Sequence, residues 1–223
     1  MRKPGSNGAE TLRKLRLAAV RLLSERGYQG MNLRMLASDL GMQAGSLYNY
    51  IDSKQALLFW LMKEATEKLL TGFDQVVGTI EDPDAQIRQF VAFHLDYHMA
   101  NRKDSAVLSS EMRSLTPRNY RALSELQRLY TQRVLDIIDR GVKAGKFKVK
   151  DSQIAAFALV QMLTGVTRWY HPQGRLKAPD LIALYIELTL AMLGSGKPLT
   201  ANKVRGARTT VGAELATETM TVA

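Results

Sequence analysis

The chain has 223 residues, of which 46% are hydrophobic and 23% are charged, so it has enough apolar material for a folded core and is not a mainly disordered sequence. It contains no cysteine, which excludes disulfides, zinc fingers and thiol catalysis. The net charge is +10, and residues 1–54 hold nine Lys or Arg against four Asp or Glu. This bias favours a polyanionic partner, although charge that only keeps a protein soluble is the alternative.

No segment has the composition of a membrane anchor or a secretion signal. The longest apolar stretches, such as IALYIELTLAML at residues 182–193, are shorter than the roughly 20 residues of a membrane-spanning helix, and this one contains Glu187. The first residues, MRKPGSNGAE, lack the apolar segment of a signal peptide. We therefore expect a soluble, cytoplasmic protein without a membrane partner.

Helical periodicity extends from Glu10 to Gly194 without a β-type alternation, so the sequence predicts an all-α fold of about nine helices. The first helix is expected to end at Gly27. Asn32 is placed to cap a second helix over residues 33–40, and a third short helix follows over residues 44–50. Asp52 or Ser53 can cap the fourth helix, which is predicted to run from Lys54 to about Phe73.

The later helices are longer and form a second unit. We expect them over residues 84–101, 104–114, 117–145, 151–170 and 180–193. Thr116 followed by Pro117 is the strongest start signal among them. The sequence therefore predicts a small domain of three helices over residues 10–56, a helical bundle over residues 57–196 and a disordered tail over residues 197–223.

Residues 33–50 have the spacing of a helix-turn-helix, with Gly41-Met42-Gln43 as the turn. Met42, Leu47 and Ile51 are expected to point inward. The outer or marginal positions then fall to Ala44, Gly45, Ser46, Tyr48, Asn49 and Tyr50. These side chains are available to a partner outside the protein, whereas tyrosines that shield the core of the small domain are the alternative.

The segment NLRMLASDLGMQAGSLYNYIDSKQAL, residues 32–57, resembles the DNA-binding domain of TetR-family transcriptional repressors. The resemblance rests on LYNYI at residues 47–51, on DSK at residues 52–54 and on Leu57. RLLSERGYQG at residues 21–30 is similar to the lead-in that is usual in the family. Ile51 departs from the commoner phenylalanine, which is a conservative change within a core. Beyond the first domain the resemblance is one of architecture.

This resemblance implies double-stranded operator DNA as a partner and assigns two kinds of contact. Phosphates are expected to meet the Tyr48 hydroxyl, the Lys54 ammonium with the amides at the start of its helix, and Arg34, for which a solvated side chain is the alternative. Base reading is expected from Gln43, Ser46, Asn49 and Tyr50, with Ala44 or Gly45 against a thymine methyl group.

The resemblance also implies a homodimer that is joined through the last two helices. These helices are apolar around much of their circumference, through Phe157, Ala158, Val160, Leu163, Leu184, Ile186, Leu188 and Leu190. A two-fold dimer would place two recognition helices about 34–36 Å apart on a palindrome.

Two segments, EMRSLTP at residues 111–117 and TRWYHPQGRLKAPD at residues 167–180, are similar to those of TetR-family regulators that respond to acyl-CoA thioesters. An acyl-CoA is therefore the candidate effector. Its phosphates are expected to meet Arg113, Arg118, Arg168 and Arg175. Its acyl group is expected to meet Phe90, Phe93, Tyr97, Met112, Tyr130, Met162 and Trp169. The alternative is an ordinary aromatic core with surface arginines, in which Trp169 anchors the loop or the dimer seam.

Other chemistries have weaker support. His94 and His98 lie four residues apart and could bind a metal, but no third ligand is evident, and core or pocket histidines are the preferred interpretation. No nucleophile–base pair stands out, so we predict neither an enzyme nor a cofactor. The remaining alternative is a nucleic-acid-packaging protein without sequence preference. Gln43, Ser46 and Asn49 favour a sequence-specific regulator, because packaging needs no groups that read base edges.

Overall fold

The computed structural model describes residues 6–195, and within this range the chain forms helices, turns and loops without a β-strand. The predicted all-α fold is confirmed. The tail predicted to be disordered, residues 197–223, lies outside the described residues. None of the helices within residues 6–195 is both long enough and apolar enough to cross a membrane.

Helices α1 to α4 make up the first part of the chain: Ser6–Gly30, Leu33–Asp39, Ala44–Leu47 and Lys54–Val76. The second part contains α5 to α9: Pro83–Ala100, Arg102–Ser110, Pro117–Lys143, Ser152–Thr164 and Ala178–Met192. Two short 3-10 helices, Met112–Ser114 and Gly165–Arg168, follow α6 and α8.

Side-chain caps begin several of these helices where the sequence predicts them. The side chain of Asn32 accepts the amide of Met35 at 2.9 Å, and the side chain of Thr116 accepts the amide of Asn119. Of the two candidates before α4, the cap is Ser53, whose hydroxyl accepts the amide of a residue in the first turn. Each cap satisfies a backbone donor that the helix itself leaves free.

Two glycines give the small domain its turns. Gly27 has φ +66° and interrupts α1, after which one further turn reaches Gly30. Gly41 has φ +64°, and the amides at residues 41 and 42 bond back to Ser38 and Ala37 at 3.1 and 2.9 Å. This left-handed C-terminal cap suits glycine, because a side chain destabilises positive φ. The predicted helix end at Gly41 is therefore confirmed, whereas α1 kinks at Gly27 and continues to Gly30.

Four further predicted helix ends are wrong by several residues. The sixth helix ends at Ser110 rather than at residue 114, and a 3-10 helix follows. The third helix covers residues 44–47 rather than 44–50, because the amides of Asn49 and Tyr50 bond to carbonyls three residues back and tighten the chain into turns. The eighth helix ends at Thr164 rather than at residue 170, since the 3-10 helix Gly165–Arg168 follows. The fourth helix continues to Val76 rather than ending near residue 73.

The buried apolar side chains form two clusters. The N-terminal core lies among α1, α2, α3, the first half of α4 and the neighbouring parts of α6 and α7. The bundle core lies among the rest of α4 and helices α5, α7, α8 and α9. The predicted domain boundary after residue 56 lies inside α4, which contributes to both clusters, so α4 mechanically connects the small domain to the bundle.

Candidate DNA-binding surface and effector cavity

Residues 43–50, here called the recognition segment, present most of their side chains to solvent. Leu47 is fully buried in the N-terminal core and anchors the segment. Tyr48 is 56% exposed, and Gln43, Ser46 and Asn49 are exposed as well. Among residues 6–195, the side chains of Gln43, Ser46, Tyr48 and Asn49 form no hydrogen bond with the protein. Their donors and acceptors are therefore free to contact a partner.

The inward positions next to this segment are occupied largely as predicted. Ile51 is buried with Leu47, whereas Met42 is half-buried. Ala44 and Tyr50 are half-buried and pack against the N-terminal core. The ring of Tyr50 thus partly shields that core, as the alternative interpretation of the tyrosines expected, while Tyr48 does not.

The start of α4 places a cation beside the recognition segment. The Lys54 ammonium lies 4.1 Å from the centroid of the Tyr28 ring, in a cation–π contact. The Tyr28 hydroxyl accepts a hydrogen bond from Gln55 Nε2 at 2.8 Å. The end of α1 therefore positions the first side chain of α4. Arg34, at the start of α2, is exposed, and Gly45 is exposed on α3.

Residues 111–116, here called the α6–α7 connector, are hydrogen-bonded to the last part of α1 and the start of α4. Gln55 Nε2 donates to the Ser114 carbonyl at 2.6 Å, and Gln55 Oε1 accepts the Thr116 amide at 3.1 Å. Glu111 Oε1 accepts the amide of Tyr28 at 3.1 Å. The sequence gives no signal for Gln55, because its connector partners are 59 and 61 residues away in the chain.

A second link joins the same helices further from the recognition segment. The Arg16 guanidinium on α1 forms ion pairs with Glu64 on α4 and Asp104 on α6. All three side chains are partly buried, so water screens these pairs less than exposed ones. Arg16 therefore links α6 to α1 and α4.

The bundle encloses a cavity of about 390 Å³ between α4, α5, α6, α7 and α8. Most of the residues that line it carry a polar group, although the larger share of the lining surface is apolar. The lining residues are Thr66, Leu69, His94, His98, Ser105, Ser109, Met112, Gln127, Tyr130, Thr131, Val160, Gln161, Thr164, Gly165 and Arg168. Arg168 is the one Lys, Arg, Asp or Glu in this set, and it lies at an exposed position.

Three of the residues predicted to bind an effector line this cavity: Met112, Tyr130 and Arg168. The other eight do not. Phe90 is fully buried in the bundle core, Phe93 and Met162 pack against that core, and the Tyr97 hydroxyl donates to the Ala65 carbonyl at 2.8 Å. Arg113 and Trp169 are exposed outside the cavity. Aromatic character indicated burial correctly for Phe90 and Tyr130 but not for Trp169. The cavity walls were placed wrongly, because most of the residues that form them are polar.

Of the other arginines predicted at CoA phosphates, Arg118 and Arg175 are exposed and also lie outside the cavity lining. Arg118 belongs to the first turn of α7, and Arg175 to the loop before α9. The four predicted arginines therefore do not converge on one point of the cavity, because they come from separate surface segments.

Two buried histidines lie side by side in the cavity wall, with ring centroids 4.3 Å apart. Burial, and secondarily the neighbouring His98, hold the pKa of His94 well below its ordinary value. Burial lowers the pKa of His98 to about 4. Both rings are neutral at pH 7, since loss of hydration penalises the charged form. Within the described part of the chain, no group of three His, Cys, Asp or Glu side chains could hold a metal ion.

The rings of these histidines are held by the protein. His94 Nδ1 lies 2.9 Å from the Tyr130 hydroxyl, and its Nε2 lies 3.2 Å from the Thr164 hydroxyl. His98 Nδ1 lies 2.7 Å from the Ser105 hydroxyl. The interpretation of the pair as pocket histidines agrees with this arrangement.

Helices α8 and α9 leave apolar side chains uncovered. Ile154 is 63% exposed, Phe157 48% and Leu184 41%. Other members of the predicted apolar set are covered within the chain: Leu163 and Leu190 belong to the bundle core, and Val160 lines the cavity. An uncovered apolar strip on two adjacent helices marks an interaction surface.

These features define a helix-turn-helix DNA-binding protein with a second, helical domain. They are an exposed recognition segment after a glycine turn, a cation at the start of the next helix and a helical bundle around a cavity. Family models place the chain within this class. Residues 15–60 match "Bacterial regulatory proteins, tetR family", and residues 81–193 match "Tetracyclin repressor-like, C-terminal domain". The chain belongs to the TetR family of DNA-binding transcriptional regulators, as its resemblance over residues 32–57 implied.

Three similar proteins illustrate this membership. The HTH-type transcriptional repressor KstR2 of Rhodococcus jostii (strain RHA1) is 25% identical over 193 residues, which cover 86% of this chain and 94% of that protein. The crystal structure of a tetR-family bacterial regulatory protein from Rhodococcus RHA1 has a TM-score of 0.78 at 27% identity and covers 84% of this chain and 98% of its own. The crystal structure of AibR in complex with isovaleryl coenzyme A and operator DNA has a TM-score of 0.72 at 21% identity, with coverage of 84% and 100%.

Proposed function

We propose that this regulator is a homodimeric repressor that binds a palindromic operator through the recognition segment and leaves it when a small effector occupies the bundle cavity. The observation that carries the DNA-binding role is the exposure of the recognition segment around a buried anchor. Gln43, Ser46, Tyr48 and Asn49 are free, while Leu47 fixes the backbone that presents them. A segment whose backbone is held by one buried side chain and whose other side chains face solvent suits insertion into a major groove.

The proposed DNA contacts are of two kinds: contacts to phosphates set the register, and contacts to bases read the sequence. Tyr48, Lys54 and Arg34 hold phosphates and set the position of the segment on the duplex. Gln43, Ser46 and Asn49 read base edges, because amide and hydroxyl groups both donate and accept hydrogen bonds. Ala44 or Gly45 lies against a thymine methyl group. Tyr50 contributes only the part of its side chain that the N-terminal core leaves accessible.

The dimer forms through α8 and α9. Ile154, Phe157 and Leu184 supply an apolar strip that a second copy would cover, and an isologous interface needs such a self-complementary patch. Trp169, which follows the 3-10 helix after α8, is 51% exposed and is a further apolar side chain that a second copy could cover. The two-fold axis would then relate two recognition segments on one face of the duplex, as a palindrome requires.

The effector response is supported by the path from the cavity to α4. Met112 lines the cavity and belongs to the α6–α7 connector, whose residues Ser114 and Thr116 are hydrogen-bonded to Gln55. An occupant that moves Met112 therefore changes the position of the start of α4, where Lys54 holds a phosphate. A difference in affinity for the two arrangements is what a ligand needs in order to shift their populations.

An acyl-CoA is the proposed effector. AibR, which shares the fold, has been crystallised with isovaleryl coenzyme A and operator DNA. In this chain Arg168 supplies a cation at the cavity for an anionic group, and the cavity of about 390 Å³ has room for a short acyl group and part of its linker.

The proposed function is tested by selecting genomic DNA fragments that the purified protein retains and by competing each fragment with a random duplex. We expect retention of a few palindromic fragments at a salt concentration that removes random DNA, and their release by isovaleryl-CoA or another short acyl-CoA. Equal retention of all sequences would instead establish the packaging alternative. Calorimetry without heat for every acyl-CoA, together with unchanged DNA binding, would contradict the effector assignment alone.

A further inference from the structure

The cavity wall is rich in hydrogen-bond acceptors, because its own helices use the hydroxyl hydrogens that line it. The hydroxyls of Thr66, Ser105, Ser109 and Thr131 each donate to a backbone carbonyl four residues back, at 2.8 to 3.1 Å. Each hydroxyl oxygen keeps lone-pair capacity that its helix does not use. A purely hydrocarbon occupant would displace water from these oxygens without forming a hydrogen bond to them.

His98 adds an acceptor whose orientation is determined by its neighbours. The Ser105 hydroxyl gives its hydrogen to the Asn101 carbonyl at 3.0 Å, so it can only accept from His98 Nδ1, which lies 2.7 Å away. We therefore assign the hydrogen to Nδ1, which leaves a lone pair on Nε2. The residue is only 5% exposed and lines the cavity, and within residues 6–195 its Nε2 has no hydrogen-bond partner.

The charge of the wall restricts what kind of donor can approach. No Asp or Glu occurs among the residues that line the cavity, so an ammonium group would be buried without a counter-charge. Arg168 instead favours an anion at the exposed side of the cavity. A neutral hydroxyl deep in the cavity and an anionic group near Arg168 satisfy both conditions.

We propose that the effector is a hydroxylated acyl compound whose hydroxyl donates a hydrogen bond to Nε2 of His98 while its anionic end lies at Arg168. This proposal rests on the proposed effector role of the cavity and specifies its chemistry. It also distinguishes the site from one built for a saturated fatty acyl chain. A site built to bond a hydroxyl discriminates against the analogue that lacks it, because the buried acceptor is then left unpaired.

The test is calorimetric titration of the full-length protein with matched pairs of ligands: butyryl-CoA with 3-hydroxybutyryl-CoA, and hexanoyl-CoA with 3-hydroxyhexanoyl-CoA. In at least one pair we expect the hydroxylated member to bind about 3- to 10-fold more tightly, the ratio of one additional buried hydrogen bond. The free acids, 3-hydroxybutyrate and 3-hydroxyhexanoate, form a second arm that separates a hydroxy acid from its thioester as the source of the anion.

Two variants assign the preference to one atom. His98→Phe keeps a planar ring and removes the acceptor, so the hydroxyl preference should disappear. His98→Gln keeps an acceptor and should retain part of it. If His98→Phe does not fold, Ser105→Ala is the substitute, because it releases the hydrogen on Nδ1 and should weaken the preference.

Three outcomes would overturn the proposal: equal binding within every pair, tighter binding of the plain members, or a hydroxyl preference that survives in His98→Phe. A nitrogen NMR spectrum of the unliganded protein adds a test that needs no ligand, since a protonated Nε2 at neutral pH would also exclude the assigned acceptor. Operator binding is measured in parallel. Its absence in the unmodified protein would refute the repressor function, whereas its presence with any of these outcomes refutes only the hydroxyl site.

Discussion

The recognition segment and the cavity are both lined by polar side chains, but they use them in opposite ways. On the recognition segment, Gln43, Ser46 and Asn49 keep their donors and acceptors free in the solvent. In the cavity, the Ser105 and Thr131 hydroxyls have already given their hydrogens to their own helices. The first surface can adapt to either polarity of a base edge, whereas the second presents a fixed set of acceptors.

The difference follows from burial. Exposed polar groups lose little free energy without a protein or DNA partner, because water forms hydrogen bonds with them. Buried polar groups must form hydrogen bonds within the protein. A buried group that lacks such a bond then determines which ligand groups the site prefers. The four predictions that follow begin with the largest expected effect and test whether each region behaves as its burial implies.

The largest effect should come from the anchor of the recognition segment. Leu47→Ala removes a fully buried side chain and should lower the free energy of unfolding by about 2–5 kcal/mol. Tyr48→Ala, at the adjacent exposed position, is the matched control and should change it by about 0.5 kcal/mol or less. Urea unfolding followed by circular dichroism measures both. Similar losses in the two variants would contradict the contrast between the anchor and the exposed face.

The buried histidines should make the bundle sensitive to acid. The folded-state pKa of His98 is about 4, against an ordinary value of 6.5, and the pKa of His94 is lowered in the same direction. Below pH 6.5 the unfolded chain therefore binds protons that the folded chain refuses. The free energy of unfolding should fall by about 1.4 kcal/mol per pH unit for each histidine between pH 6.5 and the folded pKa. Above pH 6.5 these groups should have no effect.

Urea unfolding at several pH values measures this slope. His98→Phe should flatten it by the share of one histidine. A slope that is identical in the unmodified protein and in this variant would show that His98 is not held neutral.

A smaller effect is expected from one base-reading side chain. Asn49→Ala should relax preference at one or two operator positions, by about 1–3 kcal/mol for each base pair that it contacts. Affinity for random duplexes should remain the same. The measurement is fluorescence anisotropy with operator duplexes that carry single base-pair substitutions. A uniform loss on operator and random DNA would assign Asn49 to the phosphates instead.

The smallest effect concerns the phosphate contacts, which act on all sequences alike. Lys54→Ala should weaken binding similarly on operator and random DNA and reduce the slope of log K against log salt by about 1 per recognition segment. Tyr48→Phe should also weaken binding on both, without loss of charge. Lys143→Ala is the control for Lys54, because it removes the same charge at the end of α7, about 40 Å along the helix from the connector. An equal change in slope for the two variants would show that Lys54 acts only through the net charge of the protein and not through a phosphate contact.

The parts of the site that the sequence predicted are those that depend on local chain geometry. Asn32, Gly41 and Thr116 act over three to five residues, so their caps and turns were predictable from neighbours alone. Tyr50 was placed among outer or marginal positions, yet it packs partly on the N-terminal core, because α3 is shorter than predicted and the chain turns back at once.

The cavity was predicted poorly for a physical reason. Aromatic side chains such as Phe90 indicate burial but do not tell whether the buried neighbour is protein or ligand. Met112, Tyr130 and Arg168 were predicted at an effector site and do line the cavity. Ser105, Thr131 and Gln161 line it as well but were not predicted, since serine, threonine and glutamine are common on exposed helix faces. Only their convergence from separate helices makes them a wall.

By itself, the sequence determined the helical fold, the helix-turn-helix and the side chains that the recognition segment exposes, because each follows from periodicity, capping and turn geometry within a few residues. The tertiary structure alone decided that Gln55 joins α4 to the α6–α7 connector and that His98 lines the cavity with its Nδ1 next to the Ser105 hydroxyl. Both depend on hydrogen bonds between separate elements, and packing sets those distances only after the helices have come together.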